Sequence, residues 1–368
     1  MIENMREMVV EDPGFYVSVV GLLIGVVFGF IVYVTNFCTM GSISDILNFG
    51  DYRRFRSWLL AAAVAIVGTA FLQNFGITDT SSAIYLTTNF NWLGNIVGGI
   101  IFGFGMVFSG GCVSRNLVRA GAGDLRSALV LIVTGIFGYM TIGGIIGPVR
   151  LAAFGWSVVD LTDYDVASQS AGSILSIFTG VDVATANLAA MVVIVAALLI
   201  YCFKDASFRK SATHLFAGFG LGLCVVAGWM LTGLAFDEFA DQAVPIASLT
   251  FVRPTGDTLE YLMRFTALGA PGFAVVTVAG ALLGGFLGAL VRGRLSLITF
   301  ANSKDTVYNM FGAALMGVGG VLALGCTVGQ ALSGFSTLAV GSMITFIFIV
   351  IGGIIGVKYM ERLVMADV

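Results

Sequence analysis

Apolar runs of about 20 residues recur along the whole chain, the length a helix needs to cross a hydrocarbon core about 30 Å thick. Of the 368 residues, 58% are hydrophobic and only 11% charged, with a mean hydropathy of +0.99. A soluble domain carries about 25% charged residues, so this chain has too little polar surface to coat a globule in water. In lipid every backbone N–H and C=O must be satisfied within the protein, so the runs are expected to be helices. The expected fold is an all-α polytopic membrane protein, one transmembrane domain over residues 1–368.

Nine spans are expected, over 15–37, 57–75, 92–109, 126–147, 184–203, 212–231, 268–291, 307–325 and 337–357, with short re-entrant or loop helices between some of them. Assigning the loops to alternate sides puts fourteen of the eighteen Lys and Arg on one side, and fourteen of the twenty-one Asp and Glu on the other. Cytoplasmic loops carry the excess of Lys and Arg. The N-terminus is therefore expected outside and the C-terminus in the cytoplasm. The acidic opening "MIENMREMVVEDPG" lacks the basic start of a signal peptide. A net charge of −3 supplies no basic face for nucleic acid. Five cysteines without a C-x-x-C pair give no disulfide framework or zinc site, and no metal or cofactor is expected.

Four segments align without gaps: "GVVFGFIVYVTNFCTMGS" (25–42), "GIIFGFGMVFSGGCVSRN" (99–116), "GFGLGLCVVAGWMLTGLA" (218–235) and "AALMGVGGVLALGCTVGQ" (313–330). Gly29, Gly103, Gly222 and Gly317 stand nine residues before the key position, which holds Cys38, Cys112, Leu231 and Cys326. Small residues four apart lie on one helix face and let backbones approach closely. A lone membrane cysteine is usually a packing residue, which is how Cys202 and Cys224 are read. Three cysteines in register are read as functional. The units open on spans 1, 3, 6 and 8, so the first pair and the second pair run in opposite senses. The halves, about 1–150 and 211–368, are expected to be an inverted repeat, with 151–210 as connector. Such repeats place a substrate site near the midplane, at discontinuous helices. Cys38 and Cys112 would approach it from the cytoplasmic half and Cys326 from the outer half.

Asn95 to Ser109 gives about 22 Å of helix at 1.5 Å per residue, short of the ~30 Å core. The "GGC" at Gly110–Cys112 is thus expected to break the helix inside the membrane, and a second helix, roughly 113–121, to start at the thiol. Its N-terminus offers unpaired N–H groups and positive dipole charge, an anion site without a cationic side chain. The expected path comprises Cys38, Cys112 and Cys326, with Gly41, Gly110, Gly111, Gly325 and Arg115 beside them. Arg115 and Arg119 are read first as rim cations that set topology and second as ligands. No Asp or Glu lies inside an expected span, which disfavours a carboxylate proton relay. His214 sits among basic residues at the cytoplasmic edge, without the look of a ligand.

The stretches "NFCTMGSISD", "GGCVSRNLVRAGAGDLRSALV" and "LGCTVGQALSGFSTLAVGS" resemble the YeeE/YedE family of bacterial inner-membrane sulfur transporters, and the resemblance extends over essentially the whole chain. It implies thiosulfate uptake along a narrow path lined by Cys38, Cys112 and Cys326, without enzymatic activity. It also implies, for many members, a small cytoplasmic TusA-like sulfur carrier as partner. Some relatives are linked to selenium instead, so a selenium or other sulfur species is the alternative cargo. A membrane thiol oxidoreductase or sulfurtransferase is a further alternative, disfavoured by the lack of C-x-x-C or a base near the thiols.

Overall fold

The computed structural model describes residues 2–240, 243–300 and 302–366. The first helices are α1 (Ile2–Glu11), α2 (Pro13–Thr35), α3 (Thr39–Phe49) and α4 (Arg53–Asn74). They are followed by α5 (Trp92–Phe108), α6 (Val113–Gly121), α7 (Leu125–Ile142) and α8 (Gly147–Phe154). Next come α9 (Ala171–Thr179), α10 (Val183–Phe203) and α11 (Ala206–Arg209). The last five are α12 (Ala212–Ala235), α13 (Val252–Leu268), α14 (Phe273–Val291), α15 (Ser303–Leu322) and α16 (Val340–Ala366). Between α15 and α16, residues 327–336 form one more short helix, π-helical over Gly329–Gly334. Two three-residue strands, β1 (Asn89–Asn91) and β2 (Val158–Asp160), pair antiparallel.

Among the described residues eight helical stretches are long and apolar enough to cross a membrane, α2 with α3 and α5 with α6 each counting as one. The chain is an all-α, multi-pass membrane protein. The remaining expected span, 307–325, exists as α15, but Lys304, Asp305 and Asn309 make its first turns polar. Its later turns, with Gly312, Gly317 and Gly320 buried, pack against α5 and α7. Other boundaries shift by a few residues. The helix expected over 126–147 ends at Ile142, and the one expected from 268 starts at Phe273. The segment between spans 6 and 7, expected as an outer loop, contains α13, whose first turn is buried at Val252, Pro254, Thr255 and Gly256. That turn is held by packing and not by its own apolarity, so no hydropathy pattern announces it.

Helix starts follow local chemistry. Asp12 accepts from the Phe15 N–H at 3.0 Å with Pro13 in the first turn, and Asn91 accepts from Gly94 at 2.8 Å. Both satisfy donors that a helix N-terminus leaves without internal partners. The helix α10 buries only Ala186 and Cys202 and lies at the periphery. The Cys202 thiol donates to the Arg56 carbonyl at 3.4 Å and packs with Leu60 and Phe208, away from the other cysteines.

Inter-helix contacts come in corresponding pairs. Packing of α2 on α14 is matched by α12 on α4, and α5 on α16 by α15 on α7. Likewise α13 packs on α7 and α3 on α16, while α6 packs on α14 and the π-helical turn on α4. The glycines nine residues before the key position explain why these contacts are so close. An added Cβ would lie 2.7 Å from the Ala61 oxygen of α4 at Gly222, and 2.6 Å from the Thr134 oxygen of α7 at Gly317. At Gly29 and Gly103 it would collide with the Ala281 oxygen of α14 and the Ile349 oxygen of α16. Backbone faces backbone at all four crossings, where any side chain would hold the helices apart.

Gly317→Leu should therefore destabilise the protein by about 1–3 kcal/mol, the usual range for an overpacked core. A thermal-unfolding assay in detergent should show a clear drop in Tm for this variant. No such drop is expected for Gly155→Ala, where an added Cβ meets nothing within 4 Å.

Candidate functional site

Three helices end in the same turn, whose left-handed residue lies two positions before a cysteine. At the end of α2 the Asn36 N–H donates to Tyr33 O at 3.3 Å and Phe37 N–H to Val32 O at 3.1 Å. After α5 the pair is Gly110 to Val107 at 3.2 Å and Gly111 to Met106 at 2.9 Å, and after α15 Leu324 to Val321 at 3.1 Å and Gly325 to Gly320 at 2.8 Å. This is the Schellman closure, which satisfies the last carbonyls through one left-handed residue. That residue is Asn36 (φ 58°), Gly110 (φ 69°) or Leu324 (φ 55°). Glycine makes only one of the three turns. A left-handed leucine costs about 1–2 kcal/mol, and since the Leu324 side chain is exposed, the closing bonds of the turn and not side-chain packing must offset it.

Each cysteine then stands at the start of a new helix. The Cys38 thiol accepts from the Gly41 N–H at 3.5 Å, ahead of α3, and the Cys326 thiol from Gly329 at 3.4 Å, ahead of the π-helical turn. In both the partner is the N–H three residues on, the bond an N-cap serine or aspartate makes. Cys112 holds the N-cap position of α6 without such a bond, and its thiol lies 3.2 Å from Ser114 Oγ instead. The expected helix at 113–121 is present as Val113–Gly121.

All three thiols are buried. The Cys38 and Cys112 side chains are neighbours, with Cys326 and Thr327 near Cys112, and the buried Thr327 Oγ1 has no hydrogen-bond partner. Beside them the fully buried Thr39 Oγ1, Asn116 Oδ1 and Gln330 Oε1 have no hydrogen-bond partner. Asn116 Nδ2 spans the second break, donating to Gly111 O at 2.9 Å and Cys112 O at 3.2 Å, and Gln330 Nε2 donates to Ala323 O across the third.

The two ends of this row differ. Thr250 Oγ1 lies 3.8 Å from the Cys326 sulfur, the Phe251 N–H points to it, and Tyr85 Oη stands beside Gly329. At the Cys38–Cys112 end the neighbour is Arg115. A Cβ on Gly111 would lie 2.9 Å from Arg115 Cγ and 3.9 Å from the Cys38 sulfur. Arg115 is half-buried and its buried Nη1 has no partner. It also lines a cavity of about 280 Å³ with Arg119, Asp124, Arg292 and Arg294. Burial works against the charge of Asp124, but Arg126 at 3.2 Å and Arg119 at 2.7 Å hold its carboxyl below the usual range.

The family profile described as sulphur transport matches residues 34–355. The chain belongs to the sulphur transport family. The thiosulfate transporter TsuA of Spirochaeta thermophila is 25% identical over 343 residues, covering 90% of this chain and 96% of that protein. TsuA of Escherichia coli is 25% identical over 348 residues, covering 90% of this chain and 91% of that protein.

Within this family member the sequence-derived site residues come together, with one exception in the repeat. Leu231 is buried inside α12, which runs on to Ala235, so the third unit has no break at its key position. Its chain leaves the helix later and re-enters at Val252, where Phe251 takes the place of a capping thiol. Gly325 and Gly41 lie beside the thiols, though Gly41 is also covered by the Arg54 guanidinium. Cys224 is buried in α12. Tyr85, Thr250 and Phe251 come from loops between spans and carry no motif. Among the described residues no group of three His, Cys, Asp or Glu is placed to hold a metal.

Gly111 has φ 153°, a conformation that strains any side chain, and its Cβ would push Arg115 against the Cys38 thiol. Gly111→Ala should lower transport at least about ten-fold, the effect of a misplacement near 1 Å at a positioned site. Uptake at the parental rate with equal protein in the membrane would contradict this placement.

Proposed function

We propose that this chain takes up thiosulfate across a bacterial inner membrane, along a path that runs from Cys326 past Cys112 and Cys38 to Arg115. The observation that carries the proposal is the threefold repetition of one device, a buried cysteine at the N-terminus of a helix that starts just after a break. The names of the two relatives supply the ion. Thiosulfate is a small dianion with a terminal sulfur, and moving it bare through hydrocarbon would be prohibitive. The first N–H groups of each short helix have no internal partner, and each N-terminus carries about half a positive charge. Together they can neutralise much of a dianion without gripping it as a full cation would. A thiol is a weak donor and a weak acceptor, so it can hold the soft terminal sulfur and pass it on. Weak binding at several successive sites is what conduction requires.

The positive-inside count orients the molecule with its N-terminus outside and its C-terminus in the cytoplasm. Cys326, under Tyr85 and Thr250, then faces the outer side, and the arginine cavity opens inward. The halves 1–150 and 211–368 are proposed to be inverted copies joined by 151–210. The paired helix contacts support this, since each contact within or between the halves has a counterpart when α2 to α7 are exchanged with α12 to α16. The thiols hand the ion on without covalent chemistry, so the protein is a transporter and not an enzyme. Its cytoplasmic partner is a small TusA-like sulfur carrier.

Cys112→Ala should abolish uptake of labelled thiosulfate into cells or proteoliposomes while protein in the membrane stays near normal. Cys202→Ala and Cys224→Ala should transport at close to the parental rate. Near-normal uptake by Cys112→Ala would sink the thiol path. A persulfide trapped on Cys112 during turnover would replace it with covalent sulfur transfer.

Sidedness gives a second test. A membrane-impermeant thiol reagent added outside should modify Cys326 before Cys38 or Cys112, and thiosulfate should slow the reaction. In inside-out vesicles the preference should reverse. Equal reactivity of all three from one face would contradict both the orientation and the inverted halves.

A further inference from the structure

The cavity behind the thiols has more positive charge than topology alone calls for. Four guanidiniums converge on it from separate segments: Arg115 and Arg119 from α6, and Arg292 and Arg294 from the connection between α14 and α15. They face one carboxylate, Asp124, which is already shared between Arg119 and Arg126. Rim arginines that only set topology extend toward water. Here Arg115 Nη1 is buried without a partner, while the exposed Arg292 is held against the protein by donating to the Val34 carbonyl at 3.2 Å.

The connection that presents Arg292 and Arg294 is fixed by backbone bonds. Arg294 N–H donates to Ala289 O at 2.9 Å, Ile298 N–H to Gly123 O at 3.1 Å, and Leu125 N–H to Ile298 O at 2.9 Å. Like charges gathered around one cavity repel one another, and a dianion between them offsets the repulsion. The guanidinium fork suits the paired oxygens of a tetrahedral oxyanion. At about 280 Å³ the space equals about nine waters at ~30 Å³ each, room for one such ion with part of its hydration shell.

We propose that this four-arginine cavity is an inner binding site for a tetrahedral dianion, distinct from the thiol row, and that sulfate held there from the cytoplasmic side slows thiosulfate delivery. The slowing part rests on the proposed path and its orientation. Arg115 belongs to both sites, so an ion already in the cavity takes its charge and repels the next dianion leaving Cys38.

The test has two arms. Proteoliposomes are loaded with sulfate or with gluconate at equal ionic strength, and initial uptake of labelled thiosulfate is compared within each variant. Internal sulfate should slow the parental protein by about five-fold or more, within the usual range of coupling between sites. The double variant Arg292→Gln/Arg294→Gln should show almost no slowing relative to its own gluconate control. Equal slowing of both proteins, or none in the parental one, would overturn the regulatory role.

The second arm measures binding of labelled sulfate to purified protein in nanodiscs, which needs no transport. One sulfate per chain is expected, retained in Cys112→Ala and lost in the double glutamine variant. Arg292→Lys/Arg294→Lys, which keeps charge but loses the forks, should bind more weakly than the parental protein. It serves as the comparison if the glutamine variant does not fold. Absence of sulfate binding, or binding unchanged in both variants, would overturn the site. Because this arm is independent of thiosulfate uptake, it separates failure of the site from failure of the proposed cargo.

Discussion

A polypeptide that interrupts a helix inside a membrane must still pair the backbone groups it frees, and the rest of this structure depends on how that is done. The carbonyls at the end of α2, α5 and α15 are closed by Schellman bonds, and a thiol meets one of the first donors of the helices that follow Cys38 and Cys326. Unsatisfied, each buried group would cost several kcal/mol in lipid. The same closure that makes a break tolerable also points a cysteine and a ring of unpaired N–H groups into one place. Local stability and the proposed function therefore come from the same few bonds.

The breaks would not meet without close packing around them. The four in-register glycines bring α2 to α14, α5 to α16, α12 to α4 and α15 to α7 with backbone against backbone. A helix bundle in lipid has no hydrophobic drive between its helices and relies on such approach. Bulky residues seal the spaces that remain. Trp58 lies 4.2 Å from the Phe37 ring and 6.4 Å from Phe346, and Trp229 Nε1 donates to Ser336 Oγ at 2.8 Å, tying α12 to the helix that follows Cys326.

Much of this was legible in the sequence where the signal was covalent and local. The 15-residue stretch before "GGC" is too short to cross, and α6 begins where that shortfall requires. Cysteines in register mark equivalent positions because the same turn geometry recurs beneath them. What stayed hidden depends on packing. The turn of α13 beside Cys326 is buried although its sequence, "VRPTGDTLEY", is polar, and α15 opens on "SKDTVYN" although it packs within the bundle. Hydropathy averages over a helix and cannot see that one face or one end is covered. Leu231 aligned with the cysteines because α12 has their glycine spacing, which reports helix contact and not a break.

The unequal ends of the thiol row give the proposed path a direction. Next to Cys326 the polar groups are neutral: Tyr85, Thr250 and the N–H of Phe251. Next to Cys38 and Cys112 stands Arg115, with three more guanidiniums behind it. A dianion moving from the first end to the second goes from dipoles alone to dipoles plus full charges, so its electrostatic energy falls along the way. Had the cations stood between Cys326 and Cys112, the ion would be held part-way and conduction would stop there. Placing thiols first and the arginines at the far end separates weak transfer from strong collection. The order of those two elements, more than either one alone, is what makes the arrangement suit a carrier of small sulfur anions.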